Sequence, residues 1–310
     1  MEQSIVKVEH LFHRYSVHWA VKDISLEINK HGIYGLLGSN GAGKSTTMNI
    51  MCGVLKQSEG DVFIRGIDTR KHPVEAKRLI GFLPQKAPLH VDLTVEEYLK
   101  HCANMRDIPG RQVGEAIDRV LEQCNITHFR NRLIRNLSGG YQQRVGIAQA
   151  IIHNPDFVVL DEPTNGLDPN QIAEVRNLIK KIAEDRTVIL STHILPEVQA
   201  VCDHIFMIEN GQLIFSGTVR DFDNYIIPNT IFVSLRENPG EAELKELEGV
   251  LDVSYLGGIH YRLKYNDAVD VIDRVVEASV RKGWHLTEIR QEKSSLDSIF
   301  AELSKKVNGK

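Results

Sequence analysis

The stretch from Ile33 to Thr46 restricts the fold of this chain more than any other. An apolar run, Ile33 to Leu37, has the make-up of a buried strand. It stops at Gly38-Ser39-Asn40-Gly41-Ala42-Gly43-Lys44-Ser45-Thr46, after which a helical pattern begins. A strand that turns through three glycines into a helix start is a phosphate-binding loop. The glycines let successive backbone N–H groups face one anion, and the helix start adds the positive end of its dipole. Lys44 then stands where a side chain reaches the outer phosphates of a nucleotide, and Ser45 where a hydroxyl ligates Mg²⁺. A plain glycine-rich turn explains the glycines but not Lys-Ser at that register.

Two further segments acquire meaning from this loop. Phe157-Val158-Val159-Leu160-Asp161-Glu162 is an apolar strand ending in two carboxylates, an arrangement costly in desolvation unless the acids have work to do. Downstream of a phosphate loop, Asp161 fits a Mg²⁺ ligand and Glu162 a group that polarises an attacking water. Leu137-Ser138-Gly139-Gly140-Tyr141-Gln142-Gln143-Arg144 opens a helix that continues through Ile147 and Ile151. Ser138 reads as its N-cap. Two glycines in a first turn weaken a helix unless exposed N–H groups must approach something closely.

In order and type, these three motifs resemble the ABC-type ATPases over about residues 1 to 220. The resemblance implies an α/β P-loop NTPase fold with an inserted helical subdomain, hydrolysis of ATP with Mg²⁺, and further site residues. Tyr15 looks like the aromatic that stacks on adenine. Gln85, in Phe82-Leu83-Pro84-Gln85, is similar to the glutamine that reaches Mg²⁺ and the attacking water. His193, after Leu190-Ser191-Thr192, resembles the switch histidine that contacts the γ-phosphate. Asp168, in Asn165-Gly166-Leu167-Asp168-Pro169, looks like the aspartate that communicates across a dimer, although an Asp N-cap followed by Pro is also ordinary helix chemistry. Ser138, Gly139 and Gly140 belong to the signature that closes over the nucleotide of a second copy. The commonest family signature has Gln where this chain has Tyr141, which removes the glutamine contact.

Other features bound the rest. Lys and Arg number 37 against 41 Asp and Glu, a net charge of -4, so there is no overall basic field for nucleic acid and phosphate binding must be local. Cys52, Cys102, Cys124 and Cys202 have neither disulfide-framework nor zinc spacing. No stretch approaches the about 18 apolar residues needed to cross a bilayer. His10, His13 and His18 fit no single helix face and read as surface histidines. The expected location is cytoplasmic, peripheral on the inner face of the membrane through partner subunits.

The pattern divides the chain into an ATPase domain, 1-222, and an accessory domain, 230-310, with a break from Asp221 to Thr230 marked by Asn224, Pro228 and Asn229. Within the first domain, about 90-152 is helical, with Val95, Leu99 and Cys102, then Val113, Ile117 and Leu121, at helical spacing. Asn210-Gly211 is a hairpin turn signal. The second domain reads βαββαβ, a ferredoxin-like α+β order, with a closing helix carrying Leu296, Phe300 and Leu303. This unit, with its ending Ser295-Leu296-Asp297-Ser298-Ile299-Phe300, is similar to the appendage of bacterial ABC-2-type exporter ATPases.

The resemblance thus implies the ATP-hydrolysing subunit of a transporter, with a leaning to export. It acts as a homodimer or beside a similar subunit, on membrane-spanning permease subunits. The segment after Gln85, with Pro88, Leu89, Leu93 and Tyr98, is expected to receive a cytoplasmic helix of such a partner. ABC ATPases that work on DNA or ribosomes commonly carry long coiled-coil insertions or two ATPase domains, and neither pattern occurs in this sequence.

Overall fold

The computed structural model describes residues 4–225, 230–266 and 270–292. The chain divides into two compact units, Met1–Val219 and Arg220–Lys310.

Unit 1 opens with a hairpin of β1 (Val6–Tyr15) and β2 (His18–Ile28), paired antiparallel from Val6↔Ile28 to Tyr15↔His18. Register shifts between Val8 and Leu11, and again near His13, break the alternation on which strand reading depends. β3 (Gly32–Leu37) follows and delivers the chain to α1 (Lys44–Met51). β4 (Glu59–Ile64) and β5 (Ile67–Asp68) complete a sheet of order β2-β1-β4-β5. α2 (Pro73–Arg78) leads into β6 (Ile80–Leu83).

The expected helical insertion comprises α3 (Val95–Met105), α4 (Gly110–Gln123) and α5 (Gly139–Ile151). Thr94 begins it with a capping box: its hydroxyl accepts from the Glu97 N–H while the Glu97 carboxylate accepts from the Thr94 N–H. Helix α4 buries Val113, Ala116, Ile117, Val120 and Leu121, the helical-period face read in the sequence.

The chain then returns to the sheet through β7 (Phe157–Asp161), α6 (Pro169–Ile182), β8 (Thr187–Thr192), α7 (Leu195–Val201), β9 (His204–Glu209) and β10 (Gln212–Thr218). Sheet order is β10-β9-β3-β8-β7-β6. Every pairing is parallel except the β9–β10 hairpin, whose turn residues Asn210 and Gly211 both have positive φ (49° and 80°). That backbone matches the strand twist and suits Asn-Gly. β7 and β8 are buried at every position, as expected of parallel strands covered on both faces. Fully burying Phe157 in this core is worth about 2–3 kcal/mol.

Helix α8 (Val219–Tyr225) occupies the start of the segment that reads as a break, so regular structure extends further than Asn224 and Pro228 suggested. Pro228 and Asn229 lie outside the described residues. In unit 2, β11 (Thr230–Leu235), α9 (Gly240–Lys245), β12 (Val250–Gly257), β13 (His260–Tyr265), α10 (Val271–Lys282) and β14 (Leu286–Gln291) form an antiparallel sheet of order β12-β13-β11-β14. β13 lies between β11 and β12, the split arrangement of a ferredoxin-like plait. Ile231, Val233, Leu263, Val275 and Trp284 sit in its core. The closing helix with Leu296, Phe300 and Leu303 falls outside the described residues.

Candidate functional site

The C-terminal ends of three adjacent parallel strands, β3, β8 and β7, supply the site. Leu37 pairs with Thr192 and Asp161 with Ser191, so the phosphate loop, the two carboxylates and the segment leading to His193 leave the sheet side by side. The crevice beyond strand C-termini is where parallel α/β sheets take ligands.

Two of the loop glycines answer to crowding. A Cβ at Gly38 would stand 2.2 Å from the Ile208 carbonyl oxygen, and one at Gly43, where φ is 105°, would stand 2.5 Å from the Ala20 carbonyl oxygen. Both obstacles are backbone and cannot swing away. Gly41 (φ 84°) faces open space and answers to conformation alone. Ala42 and Gly211 add a further tie, since the Gly211 N–H donates to the Ala42 carbonyl and the Lys22 N–H donates to the Gly211 carbonyl. The end of the β1–β2 hairpin is thereby held against the loop.

Lys44 is 5% exposed, and its Nζ donates to the carbonyl oxygens of Gly38 and Ser39, each at 2.9 Å. Burial pushes its pKa down, while the nearby carboxylates of Glu162, Asp161 and Glu209 act in the opposite sense. Ser39 Oγ donates to both oxygens of Glu209, at 3.0 and 2.8 Å. Ser45 Oγ donates to Asp161 Oδ1 at 3.2 Å.

Glu162 is the hub. Its Oε2 accepts from Gln85 Nε2 (3.1 Å) and from Asn165 Nδ2 (3.2 Å), and its Oε1 lies 3.0 Å from His193 Nδ1. Three residues far apart in sequence thus hold one carboxylate whose side chain is 10% exposed. The backbone at Glu162 has φ 48°, a left-handed conformation uncommon for a side chain of this size and of the kind found at functional sites. Ser191, which the sequence reading did not single out, ties the two acids together. Its hydroxyl donates to Asp161 Oδ1 and accepts from the Glu162 N–H. Its position two residues before His193 on a fully buried strand was the available signal. Asn165 is a second such residue, within the Asn-Gly-Leu-Asp segment read only for Asp168.

Ser45 and Asp161 fit a Mg²⁺ ion by their chemistry. A hydroxyl and a buried carboxylate converge within 3.2 Å beside a loop built for phosphate, and Mg²⁺ takes oxygen ligands, one or two of them from protein, with phosphates and waters completing the octahedron. Gln85, also assigned to the ion from sequence, points its amide nitrogen to Glu162 in this structure.

Ser138, Gly139, Gly140 and Asp168 are not part of this cluster. Ser138 occupies the N-cap position of α5, as read from the sequence, with extended backbone, but its side chain makes no capping bond. The two glycines separate. A Cβ on Gly140 would meet the Gln171 side chain of α6 at 2.6 Å, whereas one on Gly139 would meet nothing within 4 Å. Asp168 caps α6, its Oδ1 accepting from the N–H groups of Asn170 and Gln171 at 3.0 Å each. The starts of α5 and α6 therefore sit side by side. Tyr141, the departure from the common signature, packs edge-on against Phe129 with centroids 4.5 Å apart and under the Arg144 guanidinium. It serves an internal aromatic cluster.

Tyr15 ends β1, 49% exposed. The nearby histidines are not alike. His10, exposed, lies 2.8 Å from Asp23, and His18 is exposed, but His13 is buried, contrary to its reading as a surface residue. Tyr98 is likewise interior, 2% exposed with its hydroxyl donating to the Pro88 carbonyl, so it offers no surface to a partner. Leu89 and Leu93 are half-buried.

Comparison with known proteins adds the following. Residues 21–165 match the family model described as ABC transporter. An uncharacterised ABC transporter ATP-binding protein of Bacillus subtilis, YhcH, is 34% identical over 286 residues, spanning 92% of this chain and 90% of its own. The linearmycin resistance ATP-binding protein LnrL of the same organism is 28% identical across 97% of this chain and 98% of its own. Among solved structures, the dimeric post-hydrolysis state of the ATP-binding cassette MJ0796 bound to ADP and Pi is 28% identical. It covers 69% of this chain and 99% of its own, with a TM-score of 0.63.

Proposed function

The chain belongs to the ATP-binding proteins of ABC transporters, and from that premise we propose that it is the motor of an exporter, hydrolysing ATP at the cytoplasmic face to drive separate membrane-spanning subunits. The observation that carries the reading is the Glu162 carboxylate, held by Gln85, Asn165 and His193 beside the Ser45–Asp161 pair. A carboxylate fixed by three side chains, with its desolvation offset by those bonds, is a general base held in position for a water.

Each residue has a part in this reading. The loop N–H groups from Gly38 through Thr46, including those of Ser39, Asn40, Gly41, Ala42 and Gly43, cradle the phosphates, and the Lys44 ammonium turns from the Gly38 and Ser39 carbonyls to the outer phosphate oxygens. Ser45 and Asp161 would hold Mg²⁺, and Gln85, bonded to Glu162, would add its amide to that set. The ion, when bound, neutralises charge on the phosphate oxygens. Glu162 accepts the proton of the attacking water, and His193, beside Oε1, orients it and the terminal phosphate. Tyr15 stacks on the base. Ser138, Gly139 and Gly140, with Asp168 next to them, face the nucleotide of a second copy. The open space at Gly139 supports that part, because nothing among the described residues requires glycine there.

Export draws support from the likeness to LnrL, whose name records resistance, along nearly the whole chain. Among the described residues no helix is long and apolar enough to cross a membrane, and membrane-spanning partners supply that part. In place of the segment with Pro88, Leu89, Leu93 and Tyr98 expected from the sequence, their cytoplasmic segment is received in this reading by a cavity of about 1080 Å³ bordered by α2, the α3–α4 turn and the end of α5. Val54, Val74 and Met105 line it at 64%, 64% and 73% exposure beside Lys77, Arg78 and Arg106, exposed apolar side chains that a partner would cover. Affinity purification of the full chain from native membranes should bring down a multi-spanning protein. Val74→Asp with Met105→Asp should lose it while leaving soluble ATPase intact. Recovery of the chain without any membrane protein, or equal recovery with the double variant, would count against the permease and this docking surface respectively.

A further inference from the structure

Beside the base-stacking candidate Tyr15 lies a histidine whose position packing does not explain. His13 continues the inward-facing row of β1 after Val6, Val8 and Leu11, all of them buried, and is itself 7% exposed. Neither ring nitrogen has a hydrogen-bond partner among the described residues. Leaving a buried polar atom unsatisfied costs free energy, so a leucine or phenylalanine would satisfy the core better than histidine. The His13 ring packs against Tyr15, with centroids 4.6 Å apart and planes at 81°. That is the edge-to-face geometry aromatic pairs prefer. It fixes the plane of the Tyr15 ring and leaves Tyr15 49% exposed.

We propose that His13 is a positioning residue for the nucleotide base: its flat ring, wedged between the core and Tyr15, sets the plane on which the base stacks. The hairpin end that carries both rings is tied to the phosphate loop through Lys22, Gly211 and Ala42. A base in that place therefore shares one rigid frame with its phosphates, and a tilt of Tyr15 misaligns one against the other. The inference rests on the reading of Tyr15 as the stacking residue.

The test uses the full chain and four measurements: the KM for ATP, kcat, inhibition by inorganic tripolyphosphate, and Tm. His13→Leu removes both unpartnered nitrogens and keeps an apolar filling but loses the flat ring. The KM for ATP should rise about three- to ten-fold, the scale of one aromatic edge contact, with kcat, the tripolyphosphate constant and Tm holding or Tm rising. His13→Phe restores a flat ring and should rescue the KM. Tyr15→Leu is the control on the underlying reading, and its KM should rise at least as far. An unchanged KM in His13→Leu, or equal rises in the Leu and Phe variants, overturns the positioning role while Tyr15 stands. No effect of Tyr15→Leu overturns the stacking role itself, and the proposal with it. A rise in the tripolyphosphate constant matching that for ATP marks general damage to the site and also refutes the proposal.

Discussion

The two glycines at the start of α5 should respond in opposite ways to one added methyl group. Gly139→Ala places its Cβ in open space within the chain, and the residue has no positive φ. The isolated protein should gain up to about 1 kcal/mol from better helix propensity, a Tm rise of about 2–4 °C for a unit of this size. Gly140→Ala drives its Cβ to 2.6 Å from the Gln171 side chain. Gln171 can swing, so the helix gain is offset by a repacking cost of about 1–3 kcal/mol, and Tm should hold or fall. Nucleotide-driven pairing should invert the order of severity. If Gly139 faces the nucleotide of a second copy, the new methyl sits in that gap, and a cost of about 1.4 kcal/mol or more raises the ATP concentration for half-maximal pairing at least about tenfold. The assay is differential scanning calorimetry for the free chain and light-scattering mass against ATP concentration, in a Glu162→Gln background so that closed pairs persist. A Gly139→Ala protein that is more stable yet pairs at the parental ATP concentration would refute the assignment of that surface.

Other consequences are smaller in scope. Lys44→Ala should abolish ATP binding measured by calorimetry, because the phosphates lose their buried cation. Binding within threefold of the parent would contradict the loop assignment. His153, half-buried with its Nε2 on the Ile80 carbonyl, has its pKa pushed down to about 4, chiefly by desolvation and then by Arg106. Its folded pKa lies below the unfolded value, so the unfolded chain binds the extra proton between about pH 6.5 and 4 and stability falls as pH drops through that window. Urea melts should show about 2 kcal/mol lost between pH 7.5 and 5, and His153→Gln should lose less; an equal loss would clear His153 of the effect.

Much of the site was legible in the sequence because phosphate chemistry permits few solutions. Glycines at 38, 41 and 43 before Lys44-Ser45, and two acids ending an apolar strand, have local causes that a sequence displays. Ser191 was missed because its role is made by tertiary pairing: β8 must lie beside β7 before Ser191 can join Asp161 to Glu162, whereas Asn165 reaches Glu162 locally, three residues away, and was passed over for Asp168. His13 and Tyr98 were misjudged for a related reason. A polar or amphipathic side chain does not reveal its burial, and register shifts in β1 hid the alternation that would have turned His13 inward. Helix α4, by contrast, was plain, since its apolar face repeats at the helical period without a break.

The central claim is that Glu162 activates water in a site closed by a second copy. Its most direct test is the steady-state ATPase rate of Glu162→Gln with light-scattering mass in ATP and in ADP. The amide keeps the size of the side chain but cannot take the water's proton. Turnover should fall about 10²-fold or more, while Lys44, Ser45 and Asp161 still hold MgATP, so the mass should double with ATP and stay monomeric with ADP. Hydrolysis near the parental rate would remove Glu162 as the base, and a monomer at saturating ATP with binding intact would contradict closure by a second copy.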